Sequence, residues 1–195
     1  STCLVERPGE AWILCGTIDQ GVWRCPASGG DWAQVSNGLE SLRINSLAVI
    51  NDTVFAATQL GVFRSVDLGQ TWAHVTRVLM SPLTDLDALV KDSPNPTDVL
   101  SIGCADQYMG TYSGFGYVYT TESRGEQWTM SPERIQGGVM SVRHGGKVIY
   151  AHGRGNADWP AGLYISEDYG KTWESRVNRA SKEMYHCMDV VERDD

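Results

Sequence analysis

Positive charge is scarce in this 195-residue chain: 16 Lys and Arg stand against 24 Asp and Glu, a formal net charge of −8. So acidic a chain lacks the clustered basic side chains that grip phosphate backbones, which argues against nucleic acid as a partner. No apolar run approaches the ~20 residues that a membrane-spanning helix requires. The longest clean stretch, Ser46–Ile50, is strand-sized. Helical periodicity is nearly missing, and only Pro82–Leu89 reads as a short helical turn. None of the five cysteines (Cys3, Cys15, Cys25, Cys104, Cys187) belongs to a CxxC pair, which removes the usual zinc, thioredoxin-type and c-type haem readings. His74, His144, His152 and His186 fall in separate segments without ligand spacing. No metal and no cofactor are therefore expected. Two readings of Cys15 and Cys25 stay open: a disulfide across the hairpin they flank, or two small buried hydrophobes. The first residues, Ser1-Thr2-Cys3, carry no charged and apolar leader, as expected where a signal peptide is already gone or lies outside this sequence. Asn51-Asp52-Thr53 is a glycosylation sequon, which has meaning only in a chain secreted by a eukaryotic cell.

Glycine and the polar aromatics are plentiful. There are 21 Gly, and 7 Trp plus 8 Tyr outnumber 3 Phe, a mixture that suits many turns and half-exposed strands. The chain also repeats itself. Ser65-Val-Asp67-Leu-Gly69-Gln-Thr71-Trp72 recurs as Ser166-Glu-Asp168-Tyr-Gly170-Lys-Thr172-Trp173. A third copy, Thr121-Glu-Ser123-Arg-Gly125-Glu-Gln127-Trp128, keeps Gly125 and Trp128 but has Ser where Asp stood. A fourth, Cys25-Pro-Ala27-Ser-Gly29-Gly-Asp31-Trp32, keeps only Gly and Trp. The spacing from Trp32 to Trp72, Trp128 and Trp173 is that of propeller blades rather than of a helical solenoid.

Each copy follows a short alternating strand: Gly21–Cys25, Gly61–Ser65, Tyr117–Thr121 and Gly162–Ser166. Two more strands precede it, as in Ser46–Ile50 with Val54–Thr58, Ala88–Lys91 with Val99–Gly103, and Val139–Arg143 with Lys147–Ala151. Four strands per repeat make an antiparallel meander, so the expected class is all-β. In the box itself, Gly supplies a positive φ, Asp accepts backbone N–H bonds, and Trp lays an apolar ring under the turn. An Asp that recurs as part of a turn motif is structural; a catalytic acid would not be repeated blade after blade.

The pattern S-x-D-x-G-x-T-W resembles the Asp-box, or BNR repeat, of sialidases, sortilin-type receptor domains, xyloglucan-active glucanases and photosystem assembly factors. The resemblance spans nearly the whole chain and implies a β-propeller of four-stranded antiparallel blades, with each box between the third and fourth strands. It places the usual ligand site on the opposite face, and it implies a secreted, periplasmic or luminal setting. The expected blades are 1–36, 37–78, 79–133 and 134–180. Residues 181–195, with Met184–Val191, read as the first strand of a further or closing blade. Cys3–Val5 also reads as a first strand, so the tally has one first strand too many. A region cut from a larger propeller, or one completed by another chain, fits that tally.

On the face away from the boxes, the second-to-third-strand connections are tight in the first two repeats and long in the last two. The third spans residues 105–116, with Asp106, Tyr108, Tyr112 and Phe115; the fourth spans 152–161, with Arg154, Asn156, Asp158 and Trp159. Aromatic rings beside Asn, Asp and Arg suit a carbohydrate or peptide surface. The expected ligand residues are Tyr108, Tyr112, Phe115, Arg154, Asn156, Asp158 and Trp159. The leading expectation is a non-catalytic binding or scaffold propeller for a glycan or protein partner. A glycoside hydrolase acting on a β-glucan-like polysaccharide is the alternative, with Asp106 and Asp158 as its paired carboxylates. A structural subunit of an extracellular assembly is the third reading. The sialidase subgroup fits least, because its Arg-Ile-Pro signature is missing and Arg143 and Arg154 alone do not make its arginine cluster.

Overall fold

The computed structural model describes residues 3–6, 12–50, 52–76, 83–89, 99–108, 111–136, 138–145, 148–153 and 162–176. All regular structure among them is β. The first sheet orders β1 (Cys3–Glu6), β2 (Trp12–Gly16), β3 (Val22–Pro26) and β4 (Ala33–Gln34) side by side. The second orders β5 (Ile44–Ile50), β6 (Thr53–Thr58), β7 (Gly61–Ser65) and β8 (Ala73–Thr76). The third orders β9 (Leu83–Leu89), β10 (Val99–Tyr108), β11 (Thr111–Thr121) and β12 (Thr129–Met130), with β13 (Ile135–Gln136) also paired to β11. The fourth orders β14 (Val139–Gly145), β15 (Val148–Gly153), β16 (Gly162–Ser166) and β17 (Glu174–Ser175). Each is a consecutive antiparallel meander. The chain divides into two compact units, residues 1–79 with the first two sheets and residues 80–195 with the last two. Met184–Val191 and Asn51 lie outside the described residues.

The corners between third and fourth strands explain the repeated letters. In the second sheet, Ser65 Oγ accepts the Gly69 N–H at 2.8 Å and donates to Asp67 Oδ1 at 2.7 Å. Asp67 also accepts the Thr71 N–H at 2.8 Å and the Thr71 hydroxyl at 2.6 Å. The fourth sheet repeats this with Ser166, Asp168, Gly170 and Thr172. In the third, Thr121 Oγ1 takes the Gly125 N–H at 3.1 Å, and the shorter Ser123 accepts the Gln127 N–H at 2.7 Å. Glycine is only half of the backbone requirement. The residue before it is left-handed too: φ is 57° at Leu68, 53° at Arg124 and 61° at Tyr169, ahead of Gly69, Gly125 and Gly170 at 85–90°. Side-chain oxygens on both flanks hold these strained residues in place.

The corner at residues 25–32 departs from the other three. Cys25 cannot take the hydroxyl's part; its thiol lies 3.4 Å from Gly30 O, and Trp32 is 45% exposed where Trp72 is 6% exposed. The shared Gly and Trp letters therefore do not make Trp32 the equivalent of the other indoles. One further expectation is corrected. Pro82–Leu89 is not helical, since β9 runs through Leu83–Leu89 and pairs with β10 from Leu89↔Val99 to Leu83↔Cys104. Ladder pairing overrides the weak local preference for a turn. Of the two readings left open for Cys15 and Cys25, the structure has the unpaired one: both are free, Cys25 buried and Cys15 partly so. Cys15 stands opposite Trp23 and Cys25 opposite Ile13, a two-residue diagonal on the hairpin that exceeds disulfide reach.

Within residues 1–79, Leu14, Val22, Val35, Ile44, Leu47, Val54, Ala56, Phe63 and Trp72 form one buried cluster. Trp72 sits in it with its indole N–H on Val35 O at 2.8 Å, and its backbone N–H bonds Asn37 O at 2.8 Å. Arg24 stacks 4.3 Å from the Trp12 ring centre and bonds Leu68 O at 3.2 Å, pinning the second corner to the first sheet. Within residues 80–195, Val118, Ile135, Val139, Val142, Ile149, Ala151 and Tyr164 form the corresponding cluster, with Trp173 packed on it. Gly116 has no room for a side chain. A Cβ there would run into Cys104 O, Val139 N and Gly138 Cα, so only Gly lets β14 lie this close to β11.

Titration bears on the same contacts. Partial burial pushes the Asp67 and Asp168 carboxyls up, but the hydrogen bonds from Thr71 and Ser65, and from Thr172 and Ser166, together outweigh it and hold both below the usual carboxylate range. His144, bonded through Nε2 to Ser101 Oγ at 3.0 Å, is lowered to about 4 by burial.

Three outcomes follow for stability. Trp72→Ala costs about 3–5 kcal/mol in urea unfolding, as for other buried aromatics, whereas Trp32→Ala costs less than about 1 kcal/mol, as at an exposed site. Gly116→Ala costs roughly 1–3 kcal/mol by overpacking. Acid unfolding followed by near-ultraviolet circular dichroism has two windows. The neutral His144 imidazole favours the fold above 6.5, its ordinary value, and that contribution is lost as pH falls towards about 4. The carboxylates favour the fold above 3.8, their ordinary value, and their contribution is lost only as pH falls through their lowered values. His144→Gln flattens the first window alone; Asp67→Asn with Asp168→Asn flattens the second alone.

Candidate functional site

The segment 105–116, expected as a loop, is largely a β-ribbon. β10 and β11 run 10 and 11 residues, against 5 residues for β2, β3 and β7. Pairing continues through Ala105↔Gly116, Gln107↔Tyr112 and Tyr108↔Thr111. The correction has a plain cause: Gly, Tyr, Thr and Ser in this stretch suit a twisted two-stranded ribbon as well as a loop, and periodicity does not separate the two. The register shifts between Ala105 and Gln107, so Asp106 faces an extra length of β11. Beside that bulge β11 keeps β10 on one edge and gains β13 on the other, the edge that β12 occupies further along. Phe115 pairs with Gln136 and Gly116 with Ile135, both in β13. A bulge of this kind bends the ribbon and re-aims what it carries.

Of the expected ligand residues, Tyr108 and Tyr112 lie one rung apart on opposite strands of this ribbon. Phe115 sits at its base, partly exposed, with the Arg134 guanidinium 5.5 Å from its ring centre. Arg134 also donates from Nε to Tyr117 OH at 2.9 Å. Sequence reading missed Arg134 and Tyr117, because nothing in the spacing marks residues 134–136 as returning to β11. Arg154, Asn156, Asp158 and Trp159 lie outside the described residues. Their connection leaves β15 and enters β16 at the rung Gly153↔Gly162. Val139 stands opposite Gly153 in β14 and packs closely on Gly103 and Gly116. Ribbon and connection therefore emerge from neighbouring sheets at the same end and the same level.

The tight connections in residues 1–79 are built alike. Thr17 Oγ1 donates to Gly21 O at 2.8 Å and Thr58 Oγ1 to Gly61 O at 2.9 Å, each closing its hairpin. The box carboxylates are taken up by their own corners, which leaves Asp67 and Asp168 ionised and structural at neutral pH. Among the described residues no group of three or more His, Cys, Asp or Glu is placed to hold a metal ion, and no helix is long and apolar enough to cross a membrane.

No family profile and no curated protein matches the sequence. Solved structures do. An ancestral GH74 enzyme superposes with a TM-score of 0.67 at 18% identity over 87% of this chain and 23% of its own. The GH74 xyloglucanase from Xanthomonas campestris gives 0.63 at 19% identity, over 90% of this chain and 29% of its own. YCF48 bound to D1 peptide gives 0.53 at 16% identity, over 87% of this chain and 50% of its own. The chain thus spans less than a third of either GH74 enzyme and half of the YCF48 chain. At such identities the likeness shows architecture alone. The chain has the all-β fold of a β-propeller, built from four-stranded antiparallel blades.

Proposed function

We propose that this chain is a non-catalytic binding or scaffold module that holds a glycan or protein partner where the β10–β11 ribbon and the connection 154–161 emerge. The observation that carries this reading is the ribbon. One hairpin is about twice as long as its counterparts in the first two sheets, and it is rich in aromatic and polar residues. Rigid sheets that carry one enlarged, bulged connection suit recognition, because the scaffold bears the ordering cost and the connection sets specificity. Arg134 and Phe115 brace the base of the ribbon. YCF48, solved with a peptide bound, is a propeller of similar fold and supports a partner of that kind.

The likeness to two GH74 enzymes favours one second reading, hydrolysis of a β-glucan-like polysaccharide by Asp106 and Asp158. One pair of experiments separates the two. On a glycan array and in a peptide-binding screen, Tyr112→Ala with Trp159→Ala abolishes capture while the thermal midpoint moves by no more than about 2–4 °C, as surface changes do. Unchanged capture with a large stability loss makes these rings packing instead. With xyloglucan as probe, the wild-type chain releases no reducing ends; turnover that disappears in Asp106→Asn/Asp158→Asn establishes the enzyme.

A further inference from the structure

Beyond Phe115 the third sheet narrows to two strands. β13 covers one edge of β11 only at the rungs Gly116↔Ile135 and Phe115↔Gln136. The other edge of β11 stays paired with β10 further out, through Gln107↔Tyr112 and Tyr108↔Thr111. Among the described residues no strand pairs with residues 111–114 on the side where β13 stops. Every second residue of that stretch turns its N–H and C=O towards this open side, in line with β13. Such an edge is a template for one more strand. The hairpin of β6 and β7 has no comparable stretch, because its pairing ends at Thr58↔Gly61 beside the turn.

A cation stands beside the start of this edge, within the same compact unit. Arg134 directly precedes β13 and is exposed. Its guanidinium is held from one side, with Nε donating to Tyr117 OH at 2.9 Å and Cζ 5.5 Å from the Phe115 ring centre. It thus spans from Tyr117 to Phe115, the last residue of β11 that β13 covers. Among the described residues no carboxylate pairs with Arg134, the adjacent Glu133 included, and its two Nη groups bond no acceptor. A guanidinium fixed through Nε with its Nη pair free matches a carboxylate, which takes two parallel N–H bonds. Part of the side-chain ordering that binding would demand is already in place. In a chain of net charge −8, this uncompensated cation complements a partner of opposite sign.

We propose that the occupant of this place is an acidic peptide in extended conformation. It adds as a strand along residues 111–114 of β11, in continuation of β13, and sets an Asp or Glu side chain on the Arg134 guanidinium. Main-chain pairing supplies affinity whatever the peptide's sequence, and the carboxylate supplies the choice among peptides. The open edge favours a peptide over a glycan, because a glycan has no regular row of main-chain N–H and C=O groups to match it. This inference rests on the ribbon as the binding place and names what binds there.

A random peptide library displayed on phage and panned against the full chain supplies the probe. The selected peptides are expected to be enriched in Asp or Glu over the unpanned library. For the tightest synthetic peptide, Arg134→Gln weakens binding by at least about ten-fold, as loss of a charge-assisted pair does. Exchanging the peptide's carboxylate for its amide costs the same factor, and the two changes together cost no more than either alone. Methylating one alternate set of the peptide's amide nitrogens abolishes binding, while the other set is tolerated. Arg176→Gln, at an exposed arginine paired with Glu174, leaves binding unchanged. Circular dichroism and the thermal midpoint confirm that both variants are folded. Selected peptides without acidic enrichment, losses that simply add, or indifference to methylation would overturn the proposal. Capture on the glycan array with no peptide selected overturns it too, yet leaves the ribbon reading standing; failure of both probes removes the two together.

Discussion

Each well-formed corner of this protein depends on a hydroxyl oxygen accepting a glycine N–H four residues on. Ser65, Thr121 and Ser166 do this for Gly69, Gly125 and Gly170. The bond closes the turn, and closing the turn fixes the indole that follows. In the second sheet that indole then reaches across to Val35, so a local hydrogen bond becomes contact between sheets. Cys25 shows what happens without it: the chain still turns, but Trp32 is left largely in solvent. A weak thiol cannot replace a hydroxyl that must donate and accept at once.

The same economy governs how the sheets approach one another. At Gly116 and Gly103 the missing side chains let β14 settle against β10 and β11. That close approach sets Val139, and with it the level at which the ribbon and the connection after Gly153 leave their sheets. The candidate site is thus placed by glycine in the core rather than by anything on the surface. A bulge at Asp106 and the return of β13 then bend the ribbon and brace its base with Arg134.

Much of this was legible in the sequence. The boxes at 65–72 and 166–173 announced their corners, because Ser, Asp, Gly and Thr each have one hydrogen-bonding task at fixed spacing. Strand alternation before each box gave the meanders. Three features were not legible. Leu83–Leu89 has two Asp and no β-branched residue other than Thr84, so only its partner strand makes it extended. The corner at 25–32 shares letters with the others but lacks the oxygen that matters. The ribbon hid within a Gly- and Tyr-rich stretch, where the alternation is too irregular to read, and Arg134 comes to Phe115 only through tertiary pairing.

The left-handed residues before Gly69, Gly125 and Gly170 have a consequence for how such a chain diversifies. Leu68, Arg124 and Tyr169 share one backbone shape, and Leu68 also offers its carbonyl to Arg24 of the first sheet. Aliphatic, cationic and aromatic groups are all tolerated there, while a β-branched residue or proline is barred by the backbone. What these three places select is therefore a backbone shape rather than a chemistry, so their letters can diverge widely while the turn they build stays the same.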